Sequence, residues 1–225
     1  IETEVIATDS IYANYSGADN QEKIRNCIIE YYQNHGTSSV MLAGDVDVVP
    51  FRGFYCSVQS TTVITDSNIP SDLYYSCLDG NWDTDGDGLF GEAGEEDLMP
   101  EISITRLPFS NAEELSHMLH KAIRYMNSPV ADDLNKPLLA GEHLYSNPLT
   151  WGADYLDLLI GLHNDNGYTT NGIPANHPYE TLYDRDQGTW SASQLLQEIN
   201  QGHSFIHHVG HANYTYCMRM SSSSV

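Results

Sequence analysis

Asp83-Thr84-Asp85-Gly86-Asp87-Gly88 sets three carboxylates at alternate positions and closes on a glycine. Calcium takes hard oxygen ligands in this pattern, with a glycine where the chain turns sharply around the ion. Asp83, Asp85 and Asp87 would supply carboxylates, and Leu89 its carbonyl. The bidentate Glu expected at the twelfth place is replaced by Gly94, so Glu92, Glu95 or Glu96 would substitute. Three carboxylates this close repel one another without a cation. No helix pattern flanks them, so the expectation is a calcium loop outside an EF-hand pair.

The histidines His203, His207, His208 and His211 form a second concentration of chemistry. Their spacing is not HExxH, and no nearby Cys or Glu completes a zinc set. Ordinary hydrogen-bonding roles in a strand or loop fit His203, His207 and His208. His211 differs, because it follows the predicted strand Phe205-Ile-His-His-Val209 and sits in Val209-Gly-His-Ala-Asn213. A parallel strand ending in Gly-His places the imidazole at the carboxyl edge of the sheet, where α/β folds put their sites. Glu142 and Asp45 also follow predicted strands, so topology is expected to bring them to the same edge. The four cysteines, Cys27, Cys56, Cys77 and Cys217, fit neither a zinc ribbon nor a CxxC pair. Cys27 reads as a buried free thiol on an apolar helix face.

The elements that must carry these residues alternate helix and strand. Asp19 to Asn34 has Ile24, Cys27, Ile28, Tyr31 and Tyr32 at helical spacing, with Asp19 as N-cap and Gly36 as stop. Ser39 to Ala43 is a short buried strand. From Pro50 to Glu101 the pattern is irregular but rich in aromatic residues, which reads as a long functional excursion. Glu101 to Thr105 reads as a strand. A helix follows with Ser110 as N-cap and Leu115, Met118, Leu119, Ala122, Ile123 and Met126 on its apolar face. Ser128 to Pro137 is the best boundary, giving units 1–128 and 129–225. The rhythm then restarts, with a strand at Leu138–Gly141 and a helix from Trp151 to Leu162. A strand at Tyr179–Tyr183, a helix capped by Ser191, and a strand at Ser204–Val209 complete it. The residues from Ser221 to Val225 read as an exposed end. This order predicts an α/β fold with mostly parallel sheets.

Several segments together carry a resemblance. They are Val40-Met-Leu-Ala-Gly-Asp45 with Val49-Pro50, Ser71-Asp-Leu-Tyr-Tyr75, Pro100-Glu-Ile-Ser-Ile-Thr-Arg-Leu107, and Phe205-Ile-His-His-Val-Gly-His211. In these the chain resembles the catalytic domain of the gingipain-type cysteine peptidases of the caspase-like clan. The resemblance implies two packed α/β subdomains, the second caspase-like and incomplete at its C-terminal end. It implies that His211 is the catalytic histidine, assisting a cysteine thiolate and protonating the leaving amine. The backbone amide of Ala212 or a neighbour would help bind the oxyanion. Glu142 matches an acidic residue beside the histidine, and Asp154 lies near the position of a substrate-pocket acid. A calcium loop is compatible with the family. The nucleophile is the departure: in the family it lies a few tens of residues beyond Gly-His. Cys217 comes too early, so the chain is expected to stop before its cysteine, or to be one chain of a processed pair, and to be inactive alone.

The charge balance constrains the partners. Nine basic against 31 acidic residues leave −22, which excludes a generic nucleic-acid binder. No apolar run is long enough to span a bilayer. The chain opens on Ile1, so a processed or excised segment is expected, with any targeting signal removed. The expected function is a calcium-stabilised, secreted or cell-surface cysteine endopeptidase acting on protein or peptide substrates. The alternatives are an inactive calcium-dependent binding or adhesion module on the same scaffold, and a zinc hydrolase built on the histidines.

Overall fold

The computed structural model describes residues 2–59, 62–165, 167–213 and 215–221. The chain divides into two units, Ile1–Lys121 and Ala122–Val225. Each is mixed α/β with a parallel sheet.

The first unit opens with α1 (Thr8–Asn14) and α2 (Asn20–His35). α2 begins as its sequence dictates: the Asp19 side chain accepts the N–H of Glu22 at 2.8 Å. It ends at Gly36, whose φ of 68° is left-handed, a conformation glycine adopts without steric cost. Ile24, Cys27 and Ile28 form its buried stripe. β1 (Ser39–Ala43) emerges beside it and later pairs in parallel with β4 (Ser103–Leu107), Leu42 opposite Arg106. Between them run β2 (Arg52–Gln59) and β3 (Val63–Ser71), an antiparallel hairpin, then a 3-10 turn at Leu73–Tyr75. The expected irregular excursion thus contains a ribbon. β3 is exposed along nearly its whole length and carries Asn68 and Pro70, so no burial alternation marks it in the sequence. The excursion's aromatics close the core: Tyr74, Tyr75 and Trp82 are buried with Leu42, Val49 and Ile102, and Phe54 and Phe90 pack against them.

α3 (Ala112–Asn127) follows β4. Asn111 rather than Ser110 holds its first turn, accepting the N–H groups of Glu113 and Glu114 at 3.0 Å. The Ser110 N–H instead donates to the Glu114 carboxylate. The apolar residues Leu119, Ile123 and Met126 of this helix remain exposed.

In the second unit β5 (Leu138–Gly141) lies between two later strands. A hairpin of β6 (His143–Ser146) and β7 (Leu149–Trp151) leads into α4 (Gly152–Leu156). The expected helix over 151–162 is therefore shorter. Trp151 belongs to β7, and a 3-10 turn at Asp157–Leu159 leads to β8 (Leu162–Asp165), which pairs with β9 (Tyr168–Asn171). Backbone bonds from Ile173 to the Leu159 carbonyl at 2.8 Å and from Gly161 to the Ile173 carbonyl at 2.7 Å turn the chain out of helix. β10 (Glu180–Tyr183), α5 (Asp184–Gln187), α6 (Ala192–Ile199) and β11 (Ile206–Val209) follow. α6 starts with the expected capping box of Ser191 and Gln194. β12 (Tyr216–Cys217) and β13 (Met220–Ser221) form a last short hairpin. Of the expected exposed end, residues 222–225 lie outside the described residues.

β10 and β11 flank β5, both parallel to it. Successive side chains of β5 point to opposite faces. Leu138 and Ala140 meet Leu182, Trp190 and Leu195 on one face. Leu139 meets Ala153, Leu156 and Tyr183 on the other. This central strand is buried throughout, as a parallel strand covered on both faces must be.

Candidate active site and calcium loop

Because β5, β10 and β11 run parallel, their carboxyl ends share one edge. In-register pairing sets Gly141 beside both Tyr183 and Val209. The next residues, Glu142 and Asp184, follow directly, and Gly210 precedes His211. Asp45 does not join them through the sheet: it follows β1, in a separate sheet. Its carboxylate accepts the Val46 N–H at 2.7 Å and the Ser110 hydroxyl at 3.3 Å.

Glu142 is buried, and both its oxygens are used. Oε1 accepts the Nε2–H of His208 at 2.9 Å. Oε2 accepts the backbone N–H of His211 at 3.3 Å. The carboxylate therefore holds the His211 main chain rather than its ring. The exposed His211 ring donates from Nε2 to the Leu144 carbonyl at 3.1 Å and stands edge-on to Tyr145. With that nitrogen carrying the proton, Nδ1 of the neutral ring is left to exchange one.

Two further charged residues complete the edge, and sequence reading passed over both. Asp184 receives Arg219 at 2.6 and 3.1 Å, the His143 N–H at 2.8 Å and the Trp190 N–H at 3.0 Å. Burial acts to raise the Asp184 carboxyl, but Arg219 and these N–H groups outweigh it and hold the group below its usual range. The Arg219 guanidinium also lies over the Trp190 ring, 4.2 Å from its centroid, and its Nε is 3.9 Å from Glu142. Asp184 follows a strand end just as Glu142 does, and that rule applied to β10 would have found it. Arg219 offered only its sign, as one of nine basic residues.

The remaining histidines separate. His203 contacts the Lys136 carbonyl at 3.0 Å and the Glu198 carboxylate at 4.0 Å. Asp154, on α4, pairs with Arg185 at 2.7 Å. Arg185 also meets Asp157 and Asp186, each at 2.9 Å. Among the described residues no hydrogen bond or ion pair joins Asp154 to Glu142 or His211. All four cysteines are free; Cys27 and Cys77 are buried, Cys56 and Cys217 exposed. Burial pushes both buried thiols up, away from thiolate character.

In the acidic loop, carboxylate oxygens of Asp83, Asp85 and Asp87 lie within 4.8 Å of one another, as do those of Asp85, Glu92 and Glu95. Asp85 belongs to both sets. Gly86 and Gly88 take left-handed φ of 75° and 87°, which turns the chain around the carboxylates. Glu95 Oε1 accepts the Thr84 and Asp85 N–H groups at 2.9 and 3.3 Å, tying the far end of the loop to its start. Asp83 Oδ1 and Glu95 Oε2 are buried without a hydrogen-bond partner. Burial and the charges of Asp87, Asp85, Glu95 and Asp83 push the Glu92 carboxyl up. Orphaned carboxylate oxygens facing like charge are what a hard cation would satisfy, so the donor set fits calcium. Glu92 and Glu95, both grouped with Asp85, are the carboxylates that would stand in for the missing twelfth ligand.

A parallel α/β sheet carries a Gly-His turn over a buried carboxylate at its carboxyl edge, and its similarity to solved gingipain structures is consistent with a caspase-like fold. The chain belongs to peptidase family C25, a family of cysteine peptidases, whose model matches residues 1–225. The crystal structure of the Arg-specific cysteine proteinase gingipain R (RgpB) is similar, with a TM-score of 0.59 and 17% identity over 90% of this chain and 40% of that one. The complex of Porphyromonas gingivalis RgpB pro- and mature domains is similar at a TM-score of 0.60 and 18% identity, over 98% of this chain and 44% of that one. The chain thus spans less than half the length of these solved structures. No curated protein matches it. No helix among the described residues is long and apolar enough to cross a membrane.

Proposed function

We propose that this chain supplies the histidine of a calcium-stabilised cysteine endopeptidase that cleaves protein or peptide substrates. The observation that carries the reading is the setting of His211. Its ring is exposed at the carboxyl edge, Nε2 is engaged by Leu144, and its main chain rests on buried Glu142. In that setting Nδ1 takes the proton of a thiol and returns it to the departing amine. The Ala212 amide, next in the chain, is the candidate oxyanion donor.

The thiol itself is proposed to come from outside these 225 residues. Burial raises the thiols of Cys27 and Cys77, and among the described residues no cysteine is hydrogen-bonded to His211. Asp154 is proposed to favour a basic side chain before the scissile bond. Three aspartates surround the single cation Arg185, so the cluster carries a formal 1 − 3 = −2. One solved relative is described as Arg-specific. Asp83, Asp85, Asp87, the Leu89 carbonyl and Glu92 or Glu95 would hold calcium, which would supply the charge neutralisation that fixes the loop. The negative balance and the calcium loop suit an extracellular or cell-surface setting.

The test is thiol-dependent cleavage of a peptide library by the whole protein. Cleavage that is blocked by a thiol alkylator and abolished by His211→Ala supports the proposal. Cleavage indifferent to both excludes it.

A further inference from the structure

The buried pair of Glu142 and His208 is not explained by a peptidase mechanism that uses His211 alone. The side chains of both are nearly fully enclosed, with relative exposures of 5% and 8%. His208 also stands edge-on to Trp190, with ring centroids 6.1 Å apart, which fixes its plane. The bond from the His211 N–H to Glu142 is long at 3.3 Å, so its survival depends on how the carboxylate is held. Two groups compete for that carboxylate. His208 binds Oε1 at 2.9 Å, while Arg219 waits at 3.9 Å from the same oxygen. Without His208, Glu142 would swing towards Arg219, because a buried carboxylate seeks its nearest cation.

Gly210 supplies an independent observation. A Cβ at this position would lie 2.4 Å from His208 Nε2 and 2.5 Å from Glu142 Cδ. Residue 210 is therefore packed against the pair itself, and no side chain fits there while the pair is closed. The closed His208–Glu142 pair thus requires a glycine in the Gly-His turn.

We infer that His208 is a positioning residue for His211: it holds the Glu142 carboxylate in the orientation that receives the His211 main chain. The inference rests on the reading of His211 as the general acid and base. Its consequence is that a histidine three residues before the reacting one, buried and out of reach of substrate, sets the reacting imidazole's place.

The experiment compares His208→Phe, His208→Gln and Gly210→Ala in the whole protein. The readouts are kcat and KM for peptide cleavage and hydrogen exchange of the His211 amide by NMR. Phe keeps the ring packing but cannot donate to Glu142; Gln can donate. The expected result is a kcat loss of roughly 100-fold in His208→Phe with KM unchanged, since small misplacements cost rates of this order. His208→Gln should recover most of it. The His211 amide should lose protection in His208→Phe and in Gly210→Ala, which reaches the same pair from the opposite side. Equal melting-temperature losses in the Phe and Gln variants with kcat and amide protection intact would overturn the inference. Should His211→Ala leave cleavage unchanged, the peptidase reading fails. The amide protection then decides the positioning role by itself: lost in His208→Phe it stands, retained it falls.

Discussion

Asp184 and Arg219 form a two-pronged ion pair, with contacts of 2.6 and 3.1 Å, at the carboxyl edge of the second unit's sheet. Asp184 also fixes two backbone N–H groups, so removing its charge strands several partners at once. Asp184→Asn is expected to destabilise the second unit by about 3–5 kcal/mol, the range for breaking one side of a buried pair. Urea unfolding of both proteins measures it; a loss below about 1 kcal/mol would show the pair to be dispensable.

The same carboxyl gives a pH signature. Its folded value lies below the ordinary 3.8, so its stabilisation is fully present above that value. The stabilisation is lost as pH falls through the folded value. The melting temperature of the wild type should therefore drop in acid more steeply than that of Asp184→Asn. Parallel melting curves between about pH 2 and 7 would contradict this.

Calcium should raise the melting temperature. Saturation at about 100 times Kd contributes roughly 2.7 kcal/mol, or about 5–10 °C for a chain of this size. Asp85 belongs to both carboxylate sets, so Asp85→Ala should lower stability as a chelator does, and a chelator should then add nothing. The raised carboxyl of Glu92 means that protons compete with the cation there. Calcium affinity, titrated calorimetrically, should weaken as pH falls towards the carboxylate range. A pH-independent affinity would remove Glu92 from the site.

His211→Ala should reduce kcat/KM by about 10²–10⁴-fold, the usual contribution of a general acid and base. The ring is exposed, so the melting temperature should stay within about 1 °C of wild type. A large thermal loss would mean that the bond to Leu144 is structural.

Asp154→Asn should narrow the preference for Arg or Lys over uncharged residues before the cut by roughly tenfold, the equivalent of about 1.4 kcal/mol. Profiling with paired substrates separates specificity from damage. If both substrates lose rate equally, Asp154 serves only to hold Arg185.

The sequence by itself determined the local and periodic features. The Asp19 cap, the Gly36 stop, the Ser191–Gln194 box and the apolar run of β5 are each written within a few residues, and short-range chemistry enforces them. The clustering of the Asp83–Asp87 carboxylates was equally legible, because these residues are neighbours in the chain. The β2–β3 ribbon escaped, since β3 is exposed along nearly its whole length and imposes no alternating pattern. Tertiary structure alone decided which distant residues meet. Parallel register brought Glu142, Asp184 and the Gly-His turn to one edge and kept Asp45 in another sheet. It also gave Glu142 to the ring of His208 and only to the main chain of His211. Residues 66 and 69 positions apart carry no mutual signature in a single sequence. Their pairing follows from the closure of a sheet whose driving force, apolar burial, does not depend on which polar groups end at its rim.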